Sequence, residues 1–556
     1  MKLVWCILPL WAMAPLIAQP IVTLDPTTRY QTILGLGGSL AFSEQFLNTM
    51  PQSSFDHLVW RLFDDLHLNI IRVRMRNEIE PVNDNTNPDS IAWSNVRPLP
   101  DTAAIKFVRA ARQGGRDIEV LATPWSPPSW MKTNDSTVNG GHVRAGMEAE
   151  LSEWIRIFLL VWKDRYGIPI QILSLQNEPS WVASYESCIY TPAEINRALR
   201  IVVPRLRIWG FDSLKIIGPD DASAEASLTF ADSLLIPTDI RSMLSGFAVH
   251  NYSTQYTSPE AKISLLQTIR QRCSNAGVSV WHTEYSNLNN TSAGSLYEAH
   301  LEAWHWFVAL NDLGSSTYLH WQLAASKRSS APSLGTALVQ YNTDNNTFTI
   351  SKKYFFVKHF THFIRAGMIR VDLSGFPAGI RGTAFLDVAQ NRGVGVIQNS
   401  TSLPRSVRFL WPGADTLLQW RSSRTDTCVQ FLPLIRNGSY FDLTMADSSI
   451  VTLTGSMQGT NTVRLAELPS AFRLDQNCPN PFNPTTTIRF QIPNSSFVTL
   501  KIFDLLGREV ATLVNDSQQP GEHSVTFDAT SLPSGVYVYR QQTGHTTLSK
   551  QMLLLK

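Results

Sequence analysis

At 556 residues the chain is too long for one ordinary domain of about 150 residues. With 43% apolar and 17% charged residues, it supports a large core and excludes wholesale disorder. Its 47 basic residues nearly balance 45 acidic ones, for a net charge of +2, and that balance gives no footprint for nucleic acid.

Met1–Lys2 is a short basic start, Leu3 to Ile17 is apolar, and Ala18 is a small residue before Gln19. This pattern reads as a secretory signal over residues 1–18. The apolar run falls short of the ~20 residues a membrane span needs, so no transmembrane anchor is expected. Removing it takes Cys6 and leaves Cys188, Cys273, Cys428 and Cys478. These permit a disulfide without specifying one. Their spacing fits no zinc pattern, and the sequence calls for no metal or cofactor.

From Ile21 to Gln322 short apolar runs alternate with stretches whose apolar residues recur every three or four positions. The runs are Leu34–Gly38, Asn69–Val73, Glu119–Thr123, Ile172–Gln176, Lys215–Gly218, Gly246–His250, Val278–His282 and Thr317–Trp321. Helices are expected between them over Glu148–Tyr166, Pro192–Trp209 and Ser295–Leu313, with a last one over Lys352–Ile364. Eight strands alternating with helices define an α/β fold, a (β/α)8 barrel over residues 34–364. A doubly wound sheet is the alternative, but Gly35–Ser39 has the wrong glycine spacing for its phosphate loop. Beyond residue 364 the period becomes two, with strands expected over Gly367–Leu373, Gly393–Gln398, Ser406–Leu410 and Ser449–Leu453. Residues 365–466 therefore read as a fused side β-sandwich, to which residues 19–33 lend the strand Ile21–Leu24. A polar stretch near Leu465–Ser470 precedes a third, all-β piece over 472–556.

In a barrel the active site is built at the carboxyl ends of the strands. Glu178 closes the fourth run and Glu284 the seventh, across the barrel mouth from each other. Paired carboxylates at about 5–5.5 Å are what retaining glycoside hydrolysis requires, one attacking the anomeric carbon and one protonating the leaving oxygen. A lone glutamate at a strand end is usually a salt-bridge partner; two at these ends, set among aromatic and polar residues, favour the catalytic reading. His250 and Tyr252 are two apart at the end of the sixth strand and so share a face, with the tyrosine hydroxyl placed to donate to the nucleophile. Asn177 can hydrogen-bond a sugar hydroxyl, Trp321 offers a floor to a sugar ring, and Arg72 can pair with a carboxylate. The 16 tryptophans and 14 tyrosines suit such stacking.

Gly35-Leu-Gly-Gly-Ser39, Pro124-Trp-Ser-Pro-Pro-Ser-Trp-Met-Lys132, Ser174-Leu-Gln-Asn-Glu-Pro179 and Trp281-His-Thr-Glu-Tyr285 resemble glycoside hydrolase family 30. The likeness extends over about Ile21 to Ala466. It implies a (β/α)8 barrel with a fused side β-structure and a retaining double displacement. By that resemblance Glu178 would be the acid/base and Glu284 the nucleophile, with Asn177, Trp125, Tyr252 and Trp321 at the substrate site. The family includes glucosylceramidases, β-1,6-glucanases, β-1,6-galactanases and xylanases. The stretch Arg72-Val-Arg-Met-Arg-Asn-Glu-Ile-Glu80 could read a uronate or pair with Glu78 or Glu80.

The third piece resembles the C-terminal sorting domain of type IX secretion in Leu474-Asp-Gln-Asn-Cys-Pro-Asn-Pro-Phe-Asn-Pro484, Ile502–Val510, Pro520–His523 and Ser534–Tyr537. Cys478 stands where that pattern usually has an aromatic residue. The likeness implies the secretion machinery as partner and a secreted or surface-attached product. Phe503, Tyr537 and Tyr539 are expected in its sheet core rather than on a glycan-binding face. The function expected is a secreted retaining endo-β-glycanase acting on a polysaccharide such as xylan or β-1,6-glucan. An exo-acting β-glycosidase of glucosylceramidase type and a non-catalytic glycan-binding protein are the alternatives.

Overall fold

Eight short strands, Gly35–Ser39, Ile70–Met75, Glu119–Pro124, Ile172–Ser174, Lys215–Asp221, Leu244–His250, Val280–Tyr285 and Ser315–Trp321, pair in parallel and in chain order into a closed barrel. The computed structural model describes residues 19–555 except 84–86, 101, 253–258, 289–293, 329–334, 458–471, 493–495, 519–520 and 544–545. The expected leader and the polar stretch near Leu465–Ser470 lie outside the described residues.

The strands obey a period of two that sorts the core into two layers. Ile70, Leu121, Ile172, Ile217, Ala248, Trp281 and Leu319, one from each of the last seven strands, form their own buried cluster. Their neighbours Ile71, Val120, Leu173, Ile216, Phe247 and Val280 belong instead to the larger core shared with the helices. The parity carries upward: Arg72, Thr123, His250, Thr283 and Trp321 each stand two residues beyond a member of the inner cluster. The barrel interior is thus apolar below and polar at its carboxyl end.

Helices fill the outer layer where they were expected. Pro192–Ile208 starts in a capping box, the Thr191 hydroxyl accepting from the Glu194 backbone while Glu194 accepts from the Thr191 backbone. Leu296–Phe307 begins at Ser295, whose side chain accepts from the Glu298 backbone. Lys352–Thr361 closes the ring, and Trp306 stacks between Tyr318 at 3.8 Å and Phe360 at 5.1 Å.

The strand Ile21–Thr32 leaves the barrel and pairs antiparallel with Ile369–Ser374 and parallel with Arg405–Leu410. It sits inside a nine-stranded sheet whose other members are Ile380–Asp387, Arg392–Asn399, Thr416–Ser422, Val429–Ile435, Phe441–Met445 and Ser449–Ser456. This sheet folds over a core containing Val22, Val371, Phe409, Trp411, Phe441 and Leu453. Four of its strands, Ile380–Asp387, Thr416–Ser422, Val429–Ile435 and Phe441–Met445, went unmarked in the sequence. Val429–Ile435 lacks apolar–polar alternation in burial, and Phe441–Met445 is short.

The C-terminal piece has two sheets, one of three strands including Thr485–Ile492 and one of four including Ser496–Phe503 and Gly535–Thr543. They enclose Ile488, Phe490, Leu500, Tyr537 and Tyr539. Phe503 departs from expectation: it is only half-buried, with the Arg540 guanidinium 4.9 Å from its ring. The four described cysteines are unpaired.

The first barrel strand is nearly all glycine for a steric reason. A Cβ on Gly37 would lie 1.9 Å from the carbonyl oxygen of Ile70, a backbone atom that cannot step aside. Overpacking against yielding side chains costs ~1–3 kcal/mol, so Gly37→Ala is expected to destabilise by that much or more. A thermal unfolding scan of the variant should show the barrel transition shifted down; an unmoved midpoint would contradict the packing described.

Candidate active site

The polar upper end of the barrel is organised by one side chain. Arg72, 1% exposed, donates through Nη1 to Glu284 Oε2. Its Nη2 donates to Asn177 Oδ1 at 2.7 Å and to Asp220 Oδ2 at 3.0 Å, and its Nε to Thr123 Oγ1 at 3.3 Å. The Trp125 ring covers it, 4.7 Å from centroid to guanidinium carbon. A planar fork with this many donors can hold acceptors from four strand ends at once, which a lysine cannot.

Asp220 is the second hub. Its Oδ1 accepts from Thr283 Oγ1 at 2.5 Å and faces His250 Nε2 at 3.2 Å, and its backbone carbonyl accepts from the Glu178 backbone N–H at 2.9 Å. The other His250 nitrogen, Nδ1, lies 3.1 Å from Glu178 Oε1. Tyr252 donates from its hydroxyl to Glu284 Oε1 at 3.1 Å. Glu178 adopts a left-handed backbone, φ 48°, a conformation that costs a non-glycine residue ~1–2 kcal/mol. The bond to Asp220 holds it there.

One oxygen of Glu178, one of Glu284 and a ring nitrogen of His250 lie within 4.8 Å of one another. Burial opposes charge on His250, but the carboxylates of Glu284, Asp220 and Glu178 outweigh it and raise its pKa to about 10. Both His250 ring nitrogens face carboxylates, Glu178 and Asp220, so the ring serves this cluster through hydrogen bonds. Burial raises Asp220 as well, yet Arg72, His250 and Thr283 hold it well below the ordinary carboxylate range. For Glu284 burial prevails: it raises the pKa, with Glu178 and Asp220 adding to the rise and His250 and Arg72 opposing it.

Above these groups opens a cleft of about 800 Å³. Trp125, Trp321 and Phe42 form one wall, with ring centroids 5.5–6.4 Å apart, and Trp181, Tyr185 and Leu288 stand at the rim, each about half exposed. Every candidate named from sequence, Glu178, Glu284, Asn177, Trp125, Tyr252, His250, Trp321 and Arg72, is gathered here. Tyr252 is displaced from expectation, since the sixth strand stops at His250 and Tyr252 lies in the loop beyond. Asp220, Thr283, Phe42 and Tyr185 were missed. Asp220 was within reach of the strand-end rule, but the fifth strand continues past Gly218 to Asp221. Of the Arg72–Glu80 stretch, Arg74 faces Glu186 at 3.4 Å and Arg76 pairs with Glu78 at 2.8 Å.

A closed (β/α)8 barrel with two facing glutamates at its carboxyl end defines a glycoside hydrolase. Residues 33–364 match the family model "Glycosyl hydrolase family 30 TIM-barrel domain" and residues 478–555 the "Secretion system C-terminal sorting domain". The chain belongs to glycosyl hydrolase family 30, and its sorting domain marks it for type IX secretion to the surface or medium. No described helix is long and apolar enough to cross a membrane. The chain is 26% identical over 247 residues to putative glucosylceramidase 2 of Caenorhabditis elegans, which is 41% of this chain and 48% of that protein, so it spans about half of that relative's length. It is 22% identical over 339 residues to glucuronoxylanase XynC of Bacillus subtilis strain 168, covering 60% of this chain and 73% of the relative. The catalytic domain of xylanase C from Talaromyces cellulolyticus superposes with a TM-score of 0.66 at 23% identity, covering 78% of this chain and all (100%) of that one.

If Glu284 is the nucleophile it must be ionised to attack, and its raised pKa means the ionised form is lost as pH falls through a value above the ordinary glutamate range of about 4.3. The acid limb of kcat/KM against pH is therefore expected above that value, and a limb at or below it would refute the burial argument. Replacing Arg72 with Met should leave the buried carboxylates of Asp220 and Glu284 with His250 as their one remaining cation in the network, at a cost of ~3–5 kcal/mol. Chemical denaturation of the variant reads this directly.

Proposed function

We propose that this protein is a secreted retaining endo-β-glycanase that cleaves an uncharged polysaccharide by double displacement. The observation that carries the mechanism is the gathering of Glu178, Glu284 and His250 within 4.8 Å, the compact spacing of retaining rather than inverting carboxylate pairs. Glu284, held by Arg72 and Tyr252, attacks the anomeric carbon. Glu178, oriented by His250, gives its proton to the leaving glycosidic oxygen. Water then attacks the glycosyl–Glu284 ester while Glu178 takes its proton as base.

Charge counting supports these roles. Arg72 and His250 bring two positive charges to a buried cluster with three carboxyl groups, Asp220, Glu178 and Glu284. Neutrality leaves one proton to share between the coupled glutamates. Glu284 already accepts from Arg72 and Tyr252, so the proton belongs on Glu178.

The preference for an uncharged chain rests on the cleft wall. Among the described residues lining it there is no lysine or arginine. Arg74 and Arg76 are already paired with glutamates. The preference for internal cleavage rests on the aromatic residues that continue from the inner wall to the exposed rim, enough apolar face for more than one sugar ring.

The mature chain should be assayed against β-1,6-glucan, β-1,6-galactan, arabinoxylan, glucuronoxylan and aryl β-glycosides, with Glu284→Gln as the blank. Oligosaccharides of retained anomeric configuration from one neutral polymer, and none from the variant, are expected. Single sugars or activity on aryl glycosides alone would replace the endo reading with the exo one; a requirement for glucuronate would overturn the uncharged-substrate reading. Tyr252→Phe removes one hydrogen bond to a charged carboxylate, worth ~1.5–3 kcal/mol. It should cost kcat about 10- to 100-fold, and unchanged turnover would remove Tyr252 from the mechanism.

A further inference from the structure

A second cavity of about 480 Å³ opens between the barrel helix Leu296–Phe307 and the side sheet, sharing no described lining residue with the catalytic cleft. Tyr297 and Trp304 come from the helix, Arg381 and Gln398 from two adjacent sheet strands, and Ser400 and Arg424 from the turns beyond. Its size is that of an ordinary small-ligand site.

Two features of this cavity lack a structural explanation. The first is its charge. Arg381 is partly buried and Arg424 exposed, and among the described residues neither has an ion pair or a side-chain hydrogen bond. The aromatic neighbour of Arg381 is the Trp304 ring, 5.8 Å away. Burial lowers the Arg381 pKa, opposed by the field of Asp312, whose own carboxylate is engaged with Gln267 at 3.1 Å. A partly buried guanidinium whose counter-charge, Asp312, acts only from beyond ion-pair distance leaves its donors unmet. The second is Gln398, only 1% exposed. Its Nε2 donates to His300 Nδ1 at 2.8 Å and to the His300 carbonyl at 3.1 Å, while its Oε1 is buried with no partner. Gln398 lines the cavity, and its unmet acceptor lies beneath that wall rather than open to it.

The combination selects a ligand. Arg381 and Arg424 supply fork-shaped donors that fit a carboxylate, Ser400 fits a hydroxyl, and Tyr297 and Trp304 offer flat apolar faces beside them. We propose that the cavity between the helix Leu296–Phe307 and the side sheet is a non-catalytic binding site for a carboxylated sugar, a uronic acid unit of a glycan. It would hold the enzyme on an acidic part of a cell-wall matrix while the uncharged cleft works on a neutral chain. The site stands on its own residues and does not depend on which polymer the cleft cuts.

Binding is tested on the full mature chain carrying Glu284→Gln to silence turnover, titrated calorimetrically with trigalacturonate and, separately, with neutral xylotriose. Trigalacturonate is expected to bind at least tenfold more tightly than xylotriose, weakening as salt is raised. The added change Arg424→Gln, at an exposed position that folding does not need, should cost at least fivefold in affinity; Arg381→Gln should cost tenfold or more. In the enzyme with Glu284 restored, Arg424→Gln should leave hydrolysis of the best substrate in the cleft unchanged. Equal affinity for the acidic and neutral trimers, full binding after both arginine changes, or displacement of trigalacturonate by a ligand of the catalytic cleft would each overturn the proposal.

Discussion

Everything at the upper end of this barrel depends on burying Arg72 without leaving it alone. A guanidinium removed from water is stable only when its donors are met, and here Glu284, Asn177, Asp220 and Thr123 meet them from four different strand ends. The requirement runs both ways. Asp220 would be an unpaired buried charge without Arg72 and His250, and Glu284 would lose its charged donor. The network therefore fixes the glutamates by mutual need rather than by stiff individual side chains, and its rim of tryptophan, Trp125 above all, keeps water from substituting for any member.

The barrel converts this local demand into geometry. Its inner cluster of Ile70, Leu121, Ile172, Ile217, Ala248, Trp281 and Leu319 sets the parity of each strand, and the next inward position is where polar groups first reach the cleft. Arg72, Thr123, His250 and Thr283 are all at that level. The two facing glutamates lie just above it, Glu284 on the seventh strand and Glu178 in the loop after the fourth, reached through a left-handed turn. Apolar packing below thus determines the height at which charge is buried.

This is also why the sequence disclosed so much of the site and lost part of it. Apolar runs of four or five residues marked all eight strands, and the polar residues closing them gave Arg72, Glu178, His250, Glu284 and Trp321. Asp220 escaped because Gly218 and Pro219 look like a strand's end, whereas the chain stays extended to Asp221. Phe42 and Tyr185 escaped for another reason: they sit on connecting loops, where no periodicity points a side chain anywhere. In the side sheet, strands exposed on both faces carry no alternation to read. The Arg72–Glu80 stretch shows the converse limit, since pairing of Arg74 with Glu186 joins residues far apart in the chain.

The charge balance of the network bears on how the reaction can run in two steps on an unmoved scaffold. In the double displacement proposed above, Arg72 and His250 are offset before attack by Asp220 and Glu284, and Glu178 is the proton donor. Once the leaving group has taken that proton, Glu178 is a carboxylate and Glu284 is a neutral ester. One negative charge has moved from Glu284 to Glu178, a few ångströms, past the same His250 that hydrogen-bonds one glutamate and faces the other's field. The sum is zero in both states. A cluster that stays neutral has no electrostatic reason to shift its hydrogen bonds between steps, even as the attacking water enters from the cleft, which is the condition for preorganised electrostatic catalysis. Asp220, bonded to both cations and, through its backbone, to Glu178, is the fixed charge that makes the exchange possible.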